Sequence, residues 1–599
     1  MNNYRTPLRD INFALFELFN YPAHCSELGH AAMNRELINA FLHEAADFAE
    51  KTVAPLGAIG DQQGCQLVDG KVVTPAGFKA AYQAYCAAGW PGLVRAANYG
   101  GQGLPQSLGV ILNEVFGTPN WAWGMYAGLS QGAMHTIETH GTEQQKQQYL
   151  PALIAGRWTG TMCLTEAQAG SDLGLLRTRA EPQTDGSYRI SGSKMFISSG
   201  DHDLAENIIH IVLARLPDAP AGTKGISLFV VPKIRVDELG QLGDANGVSC
   251  RSLESKMGIH GNATCGLQFD SAQGWLLGEE NKGLSHMFTF MNLARIGSGL
   301  QGLAHAELGY QQARNYAHER LQMRSLTGIK NADEPADPII VHPDIRRMLL
   351  TQKSLLEGIR MLSYYTCMKM DVSQLSPDAD ERQQANNLLD LLTPIVKAFS
   401  TEAGFESANL ALQCLGGHGY IRAAGLEQNL RDCRVGTLYE GTTGIQALDL
   451  LGRKVCGSNG QILTPLIDEM LQFCRCCDVN EQLAAHAAQL TTLIQEWQQI
   501  SIKIVQQAQQ NPDEIGAAAV DYLMYSGYLV LAFLWLKAQK TALQQLQQSE
   551  SSVADPGFYR AKLASADFYF ARILPRTRSL IAAINSGANN LMSLSSAEF

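Results

Sequence analysis

Tyr439-Glu440-Gly441-Thr442-Thr443 is the stretch on which the reading of this chain turns. It sets one carboxylate beside a glycine and two hydroxyls, soon after a loop crowded with glycines. A carboxylate so placed can take a proton from a carbon acid. The glycine lets a substrate approach the backbone, and the hydroxyls can hold a cofactor. Alone the motif is weak, because a solvated acid at a helix start reads the same way. Three distant segments give it weight.

The first is Met162-Cys163-Leu164-Thr165-Glu166-Ala167-Gln168-Ala169-Gly170-Ser171-Asp172. Thr165 and Ser171 offer hydroxyls, Gly170 permits close approach, and consecutive amides can donate to an anion or a ring oxygen. An ordinary capped turn fits the same residues. Glu166 reads as a structural carboxylate and Asp172 as a cap. The second is Gly192-Ser193-Lys194-Met195-Phe196-Ile197-Ser198, read as part of a strand, which a plain core strand would also explain. Alternation puts Phe196 and Ser198 on one face and Ile197 on the other. A flat aromatic with a hydroxyl two residues on suits a planar ring system. The third is Gln413-Cys414-Leu415-Gly416-Gly417-His418-Gly419-Tyr420, whose three glycines allow close approach to a phosphate or adenosine group. His418 reads as a local hydrogen-bonding residue.

The chain has 599 residues, enough for more than one domain. Hydrophobic residues make up 46% and charged residues 17%, the balance of a globular enzyme. The net charge is -11 with no dense Lys/Arg run, which argues against nucleic acid or an anionic membrane as the main partner. Cys474, Cys476 and Cys477 cluster among 13 scattered cysteines, without a second pair or nearby histidines to complete a metal site. Reduced thiols in a cytoplasmic protein are expected, with no metal. No signal peptide is expected, since Glu17 interrupts the short apolar stretch after Arg5 and Arg9. Asp10 is predicted to cap a helix with Ile11, Ala14, Leu15, Leu18 and Phe19 on one face. The run Tyr522 to Leu536 falls short of the roughly 18–20 residues that span a bilayer, so a buried helix and no membrane insertion are expected.

Texture along the chain predicts an α+β protein. An N-terminal extension occupies 1–35, and a helical domain 36–158. A β-rich middle region covers 159–281, with a hairpin signal at Asp185-Gly186 and strands over Ile208–Leu213 and Ile226–Val231. Helices return over 282–455, through Met287–Arg320, His342–Met370 and Asn387–Leu412. A further helical extension, 456–599, follows a predicted hinge at Gly457-Ser458-Asn459-Gly460.

Taken in order, the four segments closely resemble the flavin-dependent acyl-CoA dehydrogenase family. The matching elements are Thr-Glu-x-x-Ala-Gly-Ser-Asp, Gly-x-Lys-x-aromatic-Ile, Gln-x-x-Gly-Gly-x-Gly-Tyr and Tyr-Glu-Gly-Thr, and the resemblance covers about residues 35 to 455. The two extensions look like the long subfamily, which includes 3-(methylthio)propionyl-CoA (3-methylmercaptopropionyl-CoA) dehydrogenases and broad-range fatty acyl-CoA dehydrogenases. The resemblance implies a helical N-terminal domain, a middle β-barrel-like domain and a C-terminal helical bundle, with FAD between the last two and near a dimer interface.

What the family implies for single residues is equally specific. Met162, Leu164, Thr165, Gly170 and Ser171, with Phe196, Ile197 and Ser198, would flank the flavin. Arg320 matches an arginine that reaches FAD phosphate across the subunit interface, and Gln413 and Gly417 would meet the neighbouring subunit's cofactor. Thr442 and Gly444 would contact FAD beside the base. Ser171, Asn292, Arg295 and Gly441 match acyl-CoA-binding positions. Glu440 would be the base that takes the α-proton while a β-hydride leaves to the flavin, giving a trans-2-enoyl-CoA in fatty acid β-oxidation. Electrons would pass to an electron-transfer flavoprotein, and the enzyme would be a homodimer or a dimer of dimers. Three positions depart from the family: Ala167 stands where proline is usual, Asn292 where medium-chain members have aspartate, and Phe196 where Trp is frequent.

Rival readings use the same frame. An oxidase would pass electrons to oxygen. Desulfinase relatives lack the base, which Glu440 supplies here. The DNA-binding alkylation-response flavoproteins need a basic face, whereas Arg453 and Lys454 are isolated. Acyl chain length, a methylthio preference and the role of the C-terminal extension are not legible.

Overall fold

The computed structural model describes residues 4–477, 480–547 and 555–599. The chain divides into two compact units: Met1–Thr6 with Leu42–Gly297, and Pro7–Phe41 with Ser298–Phe599.

The first unit is built on a seven-stranded sheet, here numbered β1 (Trp158–Cys163), β2 (Arg179–Pro182), β3 (Tyr188–Ser198), β4 (Asn207–Arg215), β5 (Ile226–Pro232), β6 (Val248–Leu253) and β7 (Thr264–Leu276). The order is β6-β7-β3-β2-β4-β1, and β5 pairs with both β7 and β4. The strands β7, β3, β2, β4 and β5 thereby close a ring, the barrel-like middle domain that the family resemblance implies. Asp185 accepts from the amide and hydroxyl of Ser187, forming the turn between β2 and β3.

Both faces of β4 are covered, which is why its sequence is a continuous apolar run rather than an alternating one. Ile190, Ile197, Val212, Phe229, Cys265 and Phe269 pack on one side. Ile209, Ile211, Leu213, Leu228 and Val230 pack on the other, with Met134, Ile137, Tyr149 and Leu153 of the helices Trp121–His140 and Glu143–Ile154. Trp90 and Trp123 belong to an aromatic core: the Tyr85 ring lies 5.7 Å from Trp123 and 5.3 Å from Phe116, and Trp90 lies 5.2 Å from Phe116.

One expectation for this unit fails. The region read as wholly helical holds a hairpin, Gln66–Val68 with Lys71–Val73, turned at Asp69 and Gly70 in the left-handed region. Asp-Gly is a strong hairpin signal. The strands are mostly exposed, so no buried alternation announced them.

The second unit is helical. The helix Gly283–Glu319 carries the partition between units inside it, and its later part packs on Ala379–Cys414 at glycine contacts. A Cβ on Gly302 would strike the Ser400 carbonyl, and one on Gly404 would strike Gly302. Pro343–Leu375, Ala379–Cys414 and Asp513–Gln547 complete the centre. Ala379–Cys414 begins eight residues before the expected Asn387, because Asp378 caps it through the Asp380 amide. Tyr522–Leu536 lies inside the longer helix Asp513–Gln547, which by length and composition alone could cross a membrane, contrary to the short run expected; 78% of its most apolar window is buried, as in a core helix.

Asp10 does not cap. The helix is Leu8–Asn12 after Pro7, and Asp10 instead pairs with Lys562 of the C-terminal extension at 2.6 Å. A wide turn over Phe13–Leu18 also buries Phe13, while Leu18 and Phe19 are only half-buried. The predicted hinge is a tight turn, with Asn459 and Gly460 left-handed and the Ser458 hydroxyl donating to Lys454 and accepting from Ile462. Cys474 and Cys477 are buried and Cys476 exposed.

Candidate active site

In the first unit, two of the sequence segments form one structure. Met162 and Cys163 end β1, Leu164 follows it, and the chain turns at Glu166 and Ala169, whose amides and carbonyls exchange hydrogen bonds of 3.0 Å. The Glu166 side chain folds inward. It accepts from Lys194 Nζ at 2.8 Å, the Thr178 hydroxyl at 2.6 Å, and the Arg177 and Thr178 amides at 2.6 and 3.0 Å. Lys194 also donates to the Leu164 carbonyl at 2.9 Å, and Met195 N to Thr165 O at 2.9 Å. Burial would raise the Glu166 carboxyl, but the Lys194 charge and the donors hold it at about 2. Burial pulls Lys194 down, against the pull of Glu166. Glu166 is therefore structural, as the sequence suggests. Asp172 caps the short turn Leu173–Leu175 through the Gly174 amide at 2.8 Å.

This clamp fixes the surface that β3 presents. Phe196 is 56% exposed, Ile197 is buried and Ser198 half-buried, so the expected alternation holds. It survives through a bulge: Cys265 pairs with Ile197 but Leu267 with Lys194, so Met195 and Phe196 together oppose Gly266. Phe196 takes φ 58° there. An aromatic residue in the left-handed region costs on the order of 1–2 kcal/mol, and such strain collects at functional sites. Opposite Ser198, the buried Thr264 hydroxyl has no hydrogen-bond partner. Gly170 and Ser171 are exposed, and a Cβ at Gly170 would meet open space. Asn292 and Arg295 stand one turn apart on Gly283–Glu319, with Arg295 Nη1 3.4 Å from Asn292 Oδ1 and its guanidinium over Phe288.

In the second unit, Glu440 is half-buried with φ 57°, and Gly441 follows at φ 87°. Two successive left-handed residues are held at both carbonyls. Gln446 Nε2 donates to the Glu440 carbonyl at 2.9 Å, and Lys397 Nζ to the Gly441 carbonyl at 2.6 Å. A side chain at Gly441 would strike the Gln446 amide, so glycine is required there. The flanks are tied as well. Tyr439 OH donates to Gln301 at 2.6 Å, and Thr443 OH to Glu402 at 2.6 Å. Thr442 caps the helix Thr443–Leu448 through the Ile445 amide at 3.3 Å. Gly444 has only Thr442 Oγ1 near its would-be Cβ.

A separate part of this unit gathers Arg320, Gln413 and Gly417. Arg320 is exposed just beyond Glu319, its carbonyl accepting from Ile339 at 2.8 Å. Tyr316, one turn earlier, bonds His418 at 3.2 Å, the local role expected for that histidine. Gln413 and Gly417 are exposed, and added Cβ atoms at Gly416 and Gly417 would meet nothing within 4 Å. Gly419 instead packs against the Leu412 carbonyl.

Sequence reasoning missed the groups that hold these segments. Lys194 stands in the Gly-x-Lys-x-aromatic-Ile element, but its partner Glu166, 28 residues away, is not legible from that element. Lys397 is a lone charge in Thr393-Pro394-Ile395-Val396-Lys397-Ala398-Phe399, fully buried in the fold, and that isolation was the available signal.

The fold and these segments define a class: the chain belongs to the acyl-CoA dehydrogenase family. Sequence models of the family's N-terminal, middle and C-terminal domains match residues 36–157, 161–272 and 281–455. A fourth, acetyl-CoA dehydrogenase C-terminal like, matches 466–595. The chain is 38% identical to the 3-methylmercaptopropionyl-CoA dehydrogenase of Ruegeria pomeroyi, over 99% of this chain and 100% of the relative. It is 35% identical to a broad-specificity linear acyl-CoA dehydrogenase of Mycobacterium tuberculosis, over 100% of both. The Caenorhabditis elegans ACDH-11 structure, in complex with C11-CoA, shares the fold with a TM-score of 0.73 and 20% identity, covering 94% of this chain and 90% of that one.

Proposed function

We propose that this protein oxidises an acyl-CoA thioester to the trans-2-enoyl-CoA, with Glu440 as the base and an electron-transfer flavoprotein as acceptor. The observation that carries the reading is the locked, left-handed Glu440-Gly441 pair, each carbonyl held by a buried side chain. A residue whose strain is over-determined by its surroundings is arranged for a task.

The residues present fit FAD, the cofactor on which acyl-CoA dehydrogenases depend. Exposed Phe196, the unpartnered Thr264 hydroxyl opposite Ser198, and the open Gly170 are candidates for the flavin, together with Met162, Leu164, Thr165, Ser171 and Ile197. Thr442 and Gly444 are candidates beside the base. Arg320, Gln413 and Gly417 are candidates for a neighbouring subunit's cofactor, and their exposure supports that reading and a homodimer. When bound, FAD supplies the acceptor for the β-hydride.

The chain's own part is proton transfer. A thioester α-proton is too weakly acidic for a free carboxylate. A bound acyl chain that excludes water raises the carboxyl toward the working pH. Amide donors at the thioester carbonyl stabilise the negative charge that develops there. Glu440's own amide is the candidate donor, and Gly441, Ser171, Asn292 and Arg295 are candidates for holding the CoA ester. Glu440→Gln should keep yellow flavin and lose turnover by orders of magnitude; a glutamine variant that turns over normally removes Glu440 as base.

For the substrate, we infer a linear acyl group taken over a broad range of lengths, with 3-methylthiopropionyl-CoA the specific alternative. The two full-length relatives support one option each. Anaerobic flavin bleaching with acyl-CoA esters from C4 to C20 and with 3-methylthiopropionyl-CoA separates them. Comparing turnover with electron-transfer flavoprotein and with oxygen tests the acceptor.

A further inference from the structure

We propose that Lys397 and Gln446 are positioning residues for the α-proton transfer, clamping the Glu440 and Gly441 carbonyls so that the base is held in one geometry. The inference rests on Glu440 being the base.

The clamp joins three elements of the second unit. Lys397 sits mid-helix in Ala379–Cys414, fully buried beside the close crossing at Val396, Ser400 and Gly302. That crossing has no room to shift, so the lysine's origin is fixed. Gln446 lies in Thr443–Leu448 and is also fully buried. The base lies between them, on a segment that no regular helix or strand constrains.

Two consequences follow from the bonding. First, the pair locks ψ of Glu440 and of Gly441, because rotating either carbonyl breaks a buried hydrogen bond. The left-handed glutamate cannot relax to an ordinary conformation without abandoning a donor in the core. Second, a donor on a peptide carbonyl polarises the amide of the next residue. Gln446 acts in this way on the Gly441 N–H and Lys397 on the Thr442 N–H. These are the amides beside the candidate ester and cofactor contacts.

The test uses the FAD-loaded enzyme. Lys397→Met removes the donor, Lys397→Gln keeps a donor, and Gln446→Leu removes the other clamp while leaving the lysine. Lys397→Met should lower kcat by roughly 10- to 100-fold with KM within about threefold, since misplacing a reacting group by an ångström costs rates of that order. The kinetic isotope effect with α-deuterated substrate should rise as proton abstraction becomes slower, and Lys397→Gln should recover part of both. A purely structural role would lower melting temperature or flavin content and leave the α-deuterium effect unchanged, and that result overturns the proposal. So does a wild-type kcat. If Lys397→Met fails to fold, Gln446→Leu carries the same readout. Failure of the base assignment is seen separately, as retained turnover in Glu440→Gln.

Discussion

Lys194 and Glu166 form a buried ion pair at 2.8 Å, and through it two segments 28 residues apart become one surface. The lysine side chain is fully buried and the glutamate 5% exposed. Lys194 also holds the Leu164 carbonyl, so a single ammonium ties the turn after β1 to the strand that displays Phe196. The order of the motif, with the lysine two residues before the aromatic, follows from that geometry: the lysine faces in and the bulged phenylalanine faces out.

Lys194→Met should therefore be costly. It leaves the Glu166 carboxylate buried without its cation, a loss of about 3–5 kcal/mol for pairs of this kind. Denaturant unfolding followed by tryptophan emission, alongside FAD retention, is the measurement. The double variant Lys194→Met/Glu166→Gln should recover part of the loss, because no uncompensated charge remains. A single variant as stable as wild type would show that the amide donors alone satisfy Glu166.

The same carboxylate sets an acid limit. Its folded value lies near 2, below the ordinary 4.5. A depressed carboxyl contributes stability that is fully present above 4.5 and is lost as pH falls through about 2. Unfolding free energy of wild type should thus decline across that interval more steeply than that of Glu166→Gln. Parallel pH profiles for the two proteins would exclude this contribution.

Lys562 ties the two extensions to the helical bundle. It donates to Asp10 at 2.6 Å and to Glu357 at 2.8 Å, and Lys353 also bonds Glu357. Burial would raise Asp10, but the charges of Lys562, Lys353 and Arg360 hold it well below the usual carboxylate range. Lys562→Met should loosen the N-terminal segment, read as faster limited proteolysis within Leu8–Leu18 with native protection elsewhere. Cleavage at the wild-type rate would show that apolar packing of Ile11, Phe13 and Leu15 suffices.

What the sequence disclosed tracks how local each signal is. The run Ile208–Leu213 announced β4 because both its faces are covered, and Asp185-Gly186 announced its turn through its own side-chain bonds. The hairpin Gln66–Val73 was hidden because exposed strands carry no apolar alternation. The first turns of Ala379–Cys414 were hidden because Glu381–Asn387 is polar apart from the buried Ala385 and is mostly exposed. Glu440 stood out by its neighbours in sequence, whereas the groups that hold its segment did not. Lys397 is 44 residues from the carbonyl it grips, and Asp10 is 552 from Lys562. Pairings across such separations depend on tertiary packing, which no local periodicity encodes.

Phe196 brings strain and function onto one residue, and substitution can separate them. At φ 58° a glycine is free of the Cβ penalty, so Phe196→Gly should relieve about 1 kcal/mol of backbone strain. Its side chain is 56% exposed, so little core packing is lost in exchange. The apoprotein should therefore unfold at an equal or slightly higher denaturant midpoint. FAD affinity should fall instead, because a planar face is removed from the proposed flavin contact, where an aromatic stack adds about 0.5–1.5 kcal/mol beyond area burial. Phe196→Trp keeps the strain and enlarges the face, so it should leave apoprotein stability unchanged and tighten FAD. Opposite shifts in apoprotein stability and cofactor affinity for the glycine variant would place Phe196 at the flavin. A variant that loses stability while binding FAD as wild type does would make it a packing residue and would move the proposed flavin contact off β3.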